Sequence, residues 1–366
     1  MLRELAAIGA PTRHEEKRAA WVYAWIMQQT GAAADVRLDD NANVIWHIRP
    51  TERLSREARS NALVISAHTD VVFDDKSFEV REHDGRMYAP GIGDDTANLV
   101  VMLLCARDLA RNRSKLSRDV YVVANVCEEG LGNLDGTKAV YEQLGHTVGE
   151  HVAFDCYLGE AINGAVGSHR WRVTVTCEGG HSYFDFGKPN AIHEMSKLLC
   201  DFYKLSRPEG MTVNAGVVEG GTTVNAIAAE ASALLEYRSP NNRDLAIMQR
   251  KFEKLIAAHN SKNTSIGIEL VGARPGAGHV DPDLKEALLA RTRAAMRVAC
   301  EQVAQPEAAS TDVNVPLSRG IPAICVGAVS GAGMHTREEW IDMASVEHGL
   351  AFAWQLLWLE ATLACQ

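Results

Sequence analysis

The sequence predicts an α/β fold, in which a mostly parallel sheet flanked by helices is interrupted by a smaller α+β domain. Segments typical of strands and helices alternate along the first part of the chain, as they do in parallel sheets. The order then changes to β-α-β-β-α-β, which is that of a ferredoxin-like unit, and the alternation resumes near the end. A length of 366 residues leaves room for two such domains.

The alternating part is predicted from short apolar runs and from helical periodicity. Thr12 and Glu15 have the spacing of a capping box, and the apolar face that follows predicts a helix to about Gly31. Strands are predicted at residues 43–48, 62–66, 119–127, 151–156 and 321–326. Helices are predicted at residues 96–111, 135–144, 281–302 and 345–363. We therefore expect a sheet with helices on both faces.

The middle of the chain has a different pattern. Trp171, Val173 and Val175 alternate with polar residues, and this period of two predicts a strand with one solvated face. Further strands are predicted at residues 212–219, 228–238 and 265–271, with helices at residues 190–203 and 243–259. We therefore expect one domain made of residues 1–167 and 273–366, and an inserted domain of residues 168–272.

The composition limits the expected partners and location. With 37 Lys and Arg against 47 Asp and Glu, the net charge of −10 disfavours nucleic acid and anionic membranes as partners. The longest apolar run, residues 99–106, is far shorter than the roughly 20 residues of a membrane span. The first residues lack the pattern of a secretion signal, and the 8 scattered cysteines contain no CxxC pair. The sequence therefore predicts a cytoplasmic protein with free thiols.

Acidic residues and histidines follow the predicted strands. His68 and Asp70 come directly after one apolar strand, and Glu128 and Glu129 end another. The carboxyl ends of strands are where open α/β sheets place their sites, so these motifs are candidates for a site. A chance pair in a solvated surface loop would explain either motif equally well.

Further positions have the same character. Asp94 and Asp95 follow two glycines at the start of a helix, where capping would explain one carboxylate better than two. Asp155 lies at the end of another apolar strand, and His335 lies in a glycine-rich loop after the last strand. The candidate ligands are thus His68, Asp94, Glu129, Asp155 and His335. Such nitrogen and oxygen donors suit two borderline metal ions that share a carboxylate.

These motifs, in this order, resemble the M20 family of dinuclear zinc metallopeptidases and deacylases, which includes tripeptidases, dipeptidases, carboxypeptidases and acetylornithine deacetylase. The matching motifs are Ser66-Ala-His68-Thr-Asp70, Gly91-Ile-Gly93-Asp94-Asp95, Cys127-Glu128-Glu129-Gly130, Gly179-Gly-His181-Ser182, Gly220-Gly-Thr-Thr-Val-Asn225, Glu236-Tyr-Arg238 and Met334-His335-Thr336. The resemblance covers nearly the whole chain. It implies a zinc-exopeptidase-like catalytic domain with an inserted dimerisation domain.

For the metal site, the resemblance implies that Asp94 bridges two zinc ions, with cobalt or manganese as alternatives. His68 and Asp155 would complete one metal position, and Glu129 and His335 the other.

For catalysis, the resemblance implies that Glu128 is the general base and that Asp70 orients the neighbouring histidine ligand. His181 would reach the active site of a partner subunit and polarise the substrate carbonyl, which implies a homodimer. Asn225 and Arg238 would hold the substrate, although an ion pair with a neighbouring carboxylate would explain Arg238 equally well.

The fifth ligand and the substrate stay open at this point. Relatives that act on acylated amino acids or as carboxypeptidases usually have a Glu-Pro here, whereas this chain has Asp155 and, further on, Glu160 followed by Ala161. Asp155 is favoured because it lies in the apolar strand, and this resembles the aminopeptidase and di/tripeptidase branch. The expected activity is hydrolysis of short peptides with a free amino terminus. The alternatives are an N-acyl-amino-acid amidohydrolase, of deacetylase or desuccinylase type, and a non-catalytic metal-binding relative, which the presence of Glu128 disfavours.

Overall fold

The computed structural model describes residues 1–31, 34–297 and 305–363 of the chain. It divides into two compact units, a larger one from Met1–Ala165 and Gly278–Gln366 and a smaller one from Val166–Ala277. The larger unit contains a mostly parallel sheet and the smaller one an antiparallel sheet, so the predicted α/β fold class is confirmed. The end of the helix predicted at residues 281–302 lies outside the described residues.

The helices and strands are numbered in chain order. The helices are α1 (Leu2–Ala6), α2 (Glu16–Thr30), α3 (Arg56–Arg59), α4 (Asn98–Arg111), α5 (Asp135–Leu144), α6 (Ala191–Lys204), α7 (Asn242–His259), α8 (Pro282–Met296), α9 (Asn314–Ser318) and α10 (Met343–Ala361). The strands are β1 (Asp35–Leu38), β2 (Val44–Ile48), β3 (Ala62–His68), β4 (Arg81–His83), β5 (Arg86–Tyr88), β6 (Val120–Asn125), β7 (Val148–Leu158), β8 (Ala161–Ala165), β9 (Gly167–Cys177), β10 (Gly180–His181), β11 (Thr212–Gly220), β12 (Ala226–Ile227), β13 (Glu230–Ser239), β14 (Thr264–Arg274), β15 (Pro306–Ala309), β16 (Ala323–Gly327), β17 (Gly331–Ala332) and β18 (Trp340–Asp342). Each predicted strand and helix has a counterpart here, whereas most of the short elements were not predicted.

The larger unit is built on an eight-stranded sheet in the order β1-β2-β6-β3-β7-β16-β8-β15. The central strands β6, β3, β7 and β16 are parallel to one another. Antiparallel pairing is found toward the edges, between β1 and β2, between β2 and β6, and between β8 and β16. The carboxyl ends of four adjacent strands therefore lie along one edge of the sheet.

Helices cover both faces of this sheet. Along β3 successive side chains point to opposite faces, and Leu63 and Ile65 pack in a core cluster with residues of α2, α4 and α10. Val64 lies between them in sequence and packs in a second cluster with Tyr141 of α5. Because both faces are buried, β3 is a continuous apolar run, and polar side chains are concentrated beyond its end.

The smaller unit is a four-stranded antiparallel sheet in the order β11-β13-β9-β14. Trp171, Val173 and Val175 of β9 point to one face, where they pack with Phe202 of α6 and Phe252 of α7. Apart from the two-residue strands β10 and β12, the elements follow one another as β9, α6, β11, β13, α7 and β14, which confirms the predicted β-α-β-β-α-β order.

Two sequence predictions concern membranes and thiols. Within the described part of the chain, no helix has the length and apolar character needed to cross a membrane. The described cysteines are free thiols, and Cys300 and Cys365 lie outside the described residues.

Candidate active site

The candidate residues of the larger unit gather at the carboxyl edge of its parallel strands. His68 is the last residue of β3, and Glu128 and Glu129 follow the end of β6 at Asn125. Asp155 lies in β7, at the point where the pairing with β16 is interrupted by a bulge. These side chains meet because neighbouring parallel strands end at the same edge.

Asp94 lies between two histidines. Its Oδ1 lies 2.9 Å from Nε2 of His68, and its Oδ2 lies 3.0 Å from Nε2 of His335. The same nitrogen of His335 lies 3.2 Å from Oε1 of Glu129. Each oxygen of one carboxylate therefore faces a different imidazole, an arrangement that suits a carboxylate shared by two metal ions.

Overlapping sets of donor atoms lie close enough together to hold metal ions. In each set the ring nitrogens, carboxylate oxygens or thiol sulfurs lie within 4.8 Å of one another. The sets are Asp94, Glu129 and His335; His68, Glu128 and Glu129; His68, Asp95 and Asp155; and Asp155, Cys156 and Cys325. Glu160, the alternative fifth ligand, is exposed and belongs to none of the sets found among the described residues. The structure thus brings Asp155, and not Glu160, to the other candidate ligands.

The carboxylates of this cluster are buried beside the two imidazoles, and both burial and the neighbouring charges shift their pKa values. Burial opposes ionisation of Asp94, but hydrogen bonds from His335 and His68 hold its pKa well below the ordinary value. Hydrogen bonds with Asp94 and Glu129 raise the pKa of His335 to about 10. Burial, followed by repulsion from Asp94, raises the pKa of Asp155 to about 7.

These shifts describe a site that attracts positive charge. Burial raises the pKa of Glu129 as well. Burial opposes the charged form of His68, but hydrogen bonds with Asp70 and Asp94 raise the pKa of this histidine well above its ordinary value. Buried carboxylates in such number are costly unless cations gather them. Imidazole nitrogens with carboxylate oxygens are donors that zinc and related divalent ions accept. The residues therefore fit a pair of divalent metal ions.

Asp70 holds several parts of the site together. Its carboxylate accepts the backbone N–H groups of Glu128 at 3.1 Å and Glu129 at 2.9 Å, and the hydroxyl of Thr12 at 2.9 Å. Its Oδ1 also lies 3.3 Å from Nδ1 of His68, whose other ring nitrogen faces the shared carboxylate. A carboxylate beside one nitrogen of a metal-binding histidine fixes the orientation of the ring. Although burial opposes it, the hydrogen bond with His68 lowers the pKa of Asp70.

Thr12 and Glu15 take part in this support, and the capping box predicted from their spacing is wrong. Thr12 donates to Asp70, and Glu15 accepts the backbone N–H of Cys127 at 3.0 Å. Helix α2 begins at Glu16 without a side-chain cap. The two residues instead anchor the segment before α2 to the loop that carries the paired glutamates.

Glu339 is a site residue that the sequence analysis missed. It is fully buried and accepts the backbone N–H groups of Gly91 at 2.7 Å, Gly93 at 3.0 Å and Asp94 at 2.9 Å. Burial, followed by repulsion from Asp94, raises the pKa of Glu339 to about 7. Its sequence signal is an acidic residue four positions after His335, which no pattern distinguishes from a solvated glutamate.

Comparison with known proteins decides the family. Residues 64–358 match the family model described as Peptidase family M20/M25/M40. The chain belongs to this family. The resemblance inferred from the ordered motifs is therefore confirmed, and the chain is an enzyme of the M20 metallopeptidase and amidohydrolase type.

Proteins similar to this M20 chain include peptidases and a deacetylase. A tripeptidase from Staphylococcus aureus has a TM-score of 0.76 and 19% identity, covering 99% of this chain and 97% of that one. An M20 metallo-carboxypeptidase from Sulfolobus solfataricus has a TM-score of 0.77 and 14% identity, covering 99% and 98%. These two structures share its fold. An acetylornithine deacetylase from Myxococcus xanthus is 27% identical over 198 residues, which are 48% of this chain and 49% of that protein.

The remaining candidate residues of the M20 chain lie in the smaller unit. His181 and Asn225 are exposed neighbours, because β10 pairs with β12 and Ser182 donates its backbone N–H to the carbonyl of Asn225 at 3.0 Å. Arg238 lies instead in the four-stranded sheet, near the end of β13 and in register with the start of β9. It donates two hydrogen bonds to Glu236 at 2.9 and 3.1 Å. The structure therefore brings His181 and Asn225 together but not Arg238, which forms the ion pair considered as its alternative.

Proposed function

We propose that the chain is a metal-dependent exopeptidase that hydrolyses short peptides with a free amino terminus. The observation that carries the proposal is the position of Asp94, whose two oxygens face His68 and His335 at 2.9 and 3.0 Å. Two zinc ions, or cobalt or manganese, would share Asp94, with His68 and Asp155 on one side and Glu129 and His335 on the other. When bound, such ions polarise the scissile carbonyl and lower the pKa of the attacking water.

Glu128 is the proposed general base. Its carboxylate is buried and lies in one set with donor atoms of His68 and Glu129, within 4.8 Å. Its backbone is fixed by the hydrogen bond to Asp70. Because the five other residues supply the ligands, Glu128 can accept the proton of the attacking water and transfer it to the leaving amine.

The choice of peptides as substrates is supported by the fifth ligand and by the similar structures. Asp155 lies with the other donors, whereas Glu160 is exposed. The chain shares its fold with a tripeptidase. A second candidate is hydrolysis of N-acyl amino acids at the same site, which the similarity to an acetylornithine deacetylase favours.

We also propose a homodimer in which His181 of the partner subunit polarises the substrate carbonyl. Nδ1 of His181 accepts the backbone N–H of Tyr183 at 3.2 Å and of Phe184 at 3.4 Å. The neutral ring therefore carries its proton on Nε2, from which it can donate to a carbonyl oxygen. Tyr183 and Phe184 beside it, and Phe186 further along the chain, are exposed, as expected of a surface that another subunit covers.

Asn225 and Arg238 are the proposed contacts to the main chain or carboxylate of the substrate. Asn225 lies beside His181 and is exposed, so its amide can reach a ligand there. Arg238 would have to leave its two hydrogen bonds to Glu236 in order to take part.

The test combines metal content with substrate hydrolysis in the wild type, in Glu128→Gln and in Glu142→Gln, an exposed glutamate of α5 that serves as the matched control. Metal per chain is measured by atomic spectrometry. Activity is measured on a tripeptide library, on the same tripeptides with an acetylated amino terminus, and on N-acetyl and N-succinyl amino acids. We expect two ions per chain and cleavage of the unblocked tripeptides. Glu128→Gln should keep both ions and lose roughly 10²–10⁴-fold in kcat.

The outcomes separate the candidates. Two ions with cleavage of acylated amino acids only would replace the peptidase proposal with the amidohydrolase one. Full activity in Glu128→Gln would remove this residue as the base, and a chain that binds no metal under replete conditions would overturn the whole site.

A further inference from the structure

We propose that Glu339 is a positioning residue, which sets the place of Asp94 between the two histidines by holding the backbone of the loop that carries it. Glu339 lies outside the motifs on which the resemblance to the family was based. The inference rests on the proposed function, in which two metal ions share Asp94.

The first observation is the set of donors around the Glu339 carboxylate. One oxygen, Oε2, accepts the backbone N–H of Gly91 at 2.7 Å. The other, Oε1, accepts the backbone N–H groups of Gly93 at 3.0 Å and Asp94 at 2.9 Å, and the hydroxyl of Tyr157 at 3.2 Å. Hydrogen bonds to a carboxylate are stronger than those between neutral groups, and here three of the four fix the loop itself.

The second observation is that the loop is shaped around this carboxylate. Gly91 has a φ of +69°, a left-handed conformation that favours glycine. A Cβ at Gly93 would lie 2.8 Å from Oε1 of Glu339 and 2.6 Å from a ring carbon of Tyr157. A side chain at position 93 would therefore push the carboxylate out of its place.

The third observation is that the loop is held from its other side as well. Nδ2 of Asn98 donates to the carbonyl of Gly93 at 3.1 Å and to that of Cys156 at 3.0 Å. Oδ1 of Asn98 accepts the backbone N–H of Ala328 at 2.7 Å. Glu339 holds the N–H side of Gly93 and Asn98 its carbonyl side, so the backbone directly before Asp94 is fixed on both sides.

Because two metal ions would share Asp94, the hydrogen bonds from its loop to Glu339 should affect the binding of both ions. A ligand that serves one metal ion, such as Asp155, affects one position when it is removed. Asp94 faces both histidines, so a shift of its backbone disturbs both positions at once. Loss of Glu339 should therefore weaken the binding of both ions, and groups that support metal ligands typically contribute 10–100-fold in affinity or activity.

The experiment is a zinc titration of the chelator-treated full chain against a competing indicator. The variants are Glu339→Gln, Asp94→Asn and Glu338→Gln. Glu338 is the matched control, because it directly precedes Glu339 in the chain, is 74% exposed and pairs with Arg81. We expect Glu339→Gln to bind both ions 10–100-fold more weakly. At saturating zinc its kcat should fall, with KM within about twofold of the wild type, and Glu338→Gln should match the wild type throughout.

Tyr157→Phe keeps the inference testable if Glu339→Gln does not fold. It removes one hydrogen bond to the same carboxylate and should weaken zinc binding about threefold. The role of Glu339 alone would be overturned if Asp94→Asn lost zinc binding while Glu339→Gln kept wild-type affinity. If Glu339→Gln does not fold, wild-type affinity in Tyr157→Phe would have the same meaning. Wild-type binding in Asp94→Asn would overturn the proposed function and this inference with it. A purely structural role would lower the melting temperature of the metal-free chain and leave zinc affinity unchanged, which would also overturn the inference.

Discussion

The backbone N–H of Glu129 donates to Oδ2 of Asp70 at 2.9 Å. The other oxygen of Asp70 lies 3.3 Å from Nδ1 of His68. One carboxylate thus sets the spacing between a candidate ligand at the end of β3 and another after the end of β6. The two candidate ligands, at the ends of different strands, have a common support, so their places are not independent of each other.

Replacing Asp70 should therefore reduce metal affinity without removing a ligand. Asp70→Asn keeps the shape of the side chain but replaces one acceptor oxygen with a donor, which faces N–H groups of Glu128 or Glu129. We expect affinity for both metal ions to fall by 10–100-fold. The measurement is a zinc titration with a competing indicator. Thr12→Val is the matched control, since it removes one donor to the same carboxylate and should cost less than about threefold. Equal affinities in Asp70→Asn and wild type would contradict this role.

The identity of the fifth ligand can be tested by counting ions. Asp155→Asn should lower the metal content from two ions per chain to one after dialysis, because Asp155 lies in a set with His68. Glu160→Gln should keep two, because Glu160 is exposed. Atomic spectrometry on both variants, dialysed together with the wild type, makes the comparison. The reverse result would return Glu160 to the ligand set and favour the amidohydrolase candidate.

The sequence could predict which candidate site residues lie together where they follow buried strands. His68 and Glu129 come after apolar runs whose length and pattern identify strands, and the parallel order then implies that their side chains meet at one edge. Short strands at the edges of the sheet were not predicted, because they lack such long apolar runs. The strand β15 (Pro306–Ala309), for example, has four residues and little burial, so it carries no periodic signal.

Residues that support the site through distant contacts could not be predicted in this way. Glu339 accepts the N–H of Asp94 across 245 positions in the chain, and nothing in the local sequence shows that it is buried. The spacing of Thr12 and Glu15 indicated a capping box, but their side chains form hydrogen bonds with Asp70 and Cys127 instead. A local pattern shows which backbone groups of its own segment a polar side chain can bind. These contacts depend instead on which distant segments the fold brings together.

The buried His151 should make the protein less stable in mild acid. Its Nε2 lies 2.8 Å from Oγ of Ser66 and its Nδ1 lies 2.9 Å from the hydroxyl of Tyr141. Burial lowers the pKa of His151 to about 3, from an ordinary value of 6.5. Between these values the unfolded chain binds a proton that the folded chain does not. The contribution to stability is therefore present above pH 6.5 and is lost as the pH falls, by about 1.4 kcal/mol per pH unit.

His151→Gln tests this contribution because glutamine does not titrate. Urea unfolding of the metal-free chain at pH 7.5 and pH 5 gives the free energies to compare. At pH 7.5 the variant should be less stable by about 1–3 kcal/mol, because its buried partners lose hydrogen bonds. At pH 5 the gap should shrink by about 2 kcal/mol. His193→Gln, at an exposed position, should show no gap at either pH. A gap of the same size at both pH values would contradict the assignment.

A buried charge cluster at the opposite edge of the sheet should contribute strongly to stability but not to metal binding. Arg118 precedes β6 and pairs with Glu150, at the start of β7, at 2.6 Å and with Glu360 of α10 at 3.4 Å. Arg291 of α8 pairs with both glutamates as well, so two arginines balance two carboxylates. Arg118 and Glu360 are almost completely buried.

Arg118→Met should therefore lower the free energy of unfolding by about 3–5 kcal/mol, because it leaves two buried carboxylates with Arg291 as their one remaining arginine partner. Arg111→Met, at an exposed position at the end of α4, should change it by less than about 0.5 kcal/mol. Adding Glu360→Gln to Arg118→Met should recover part of the loss, since the remaining pair of Glu150 and Arg291 is neutral. Urea unfolding measures these differences, and a zinc titration on the same variants should give wild-type affinity. A loss of metal affinity in Arg118→Met would mean that the two edges of the sheet are coupled, contrary to the separation proposed here.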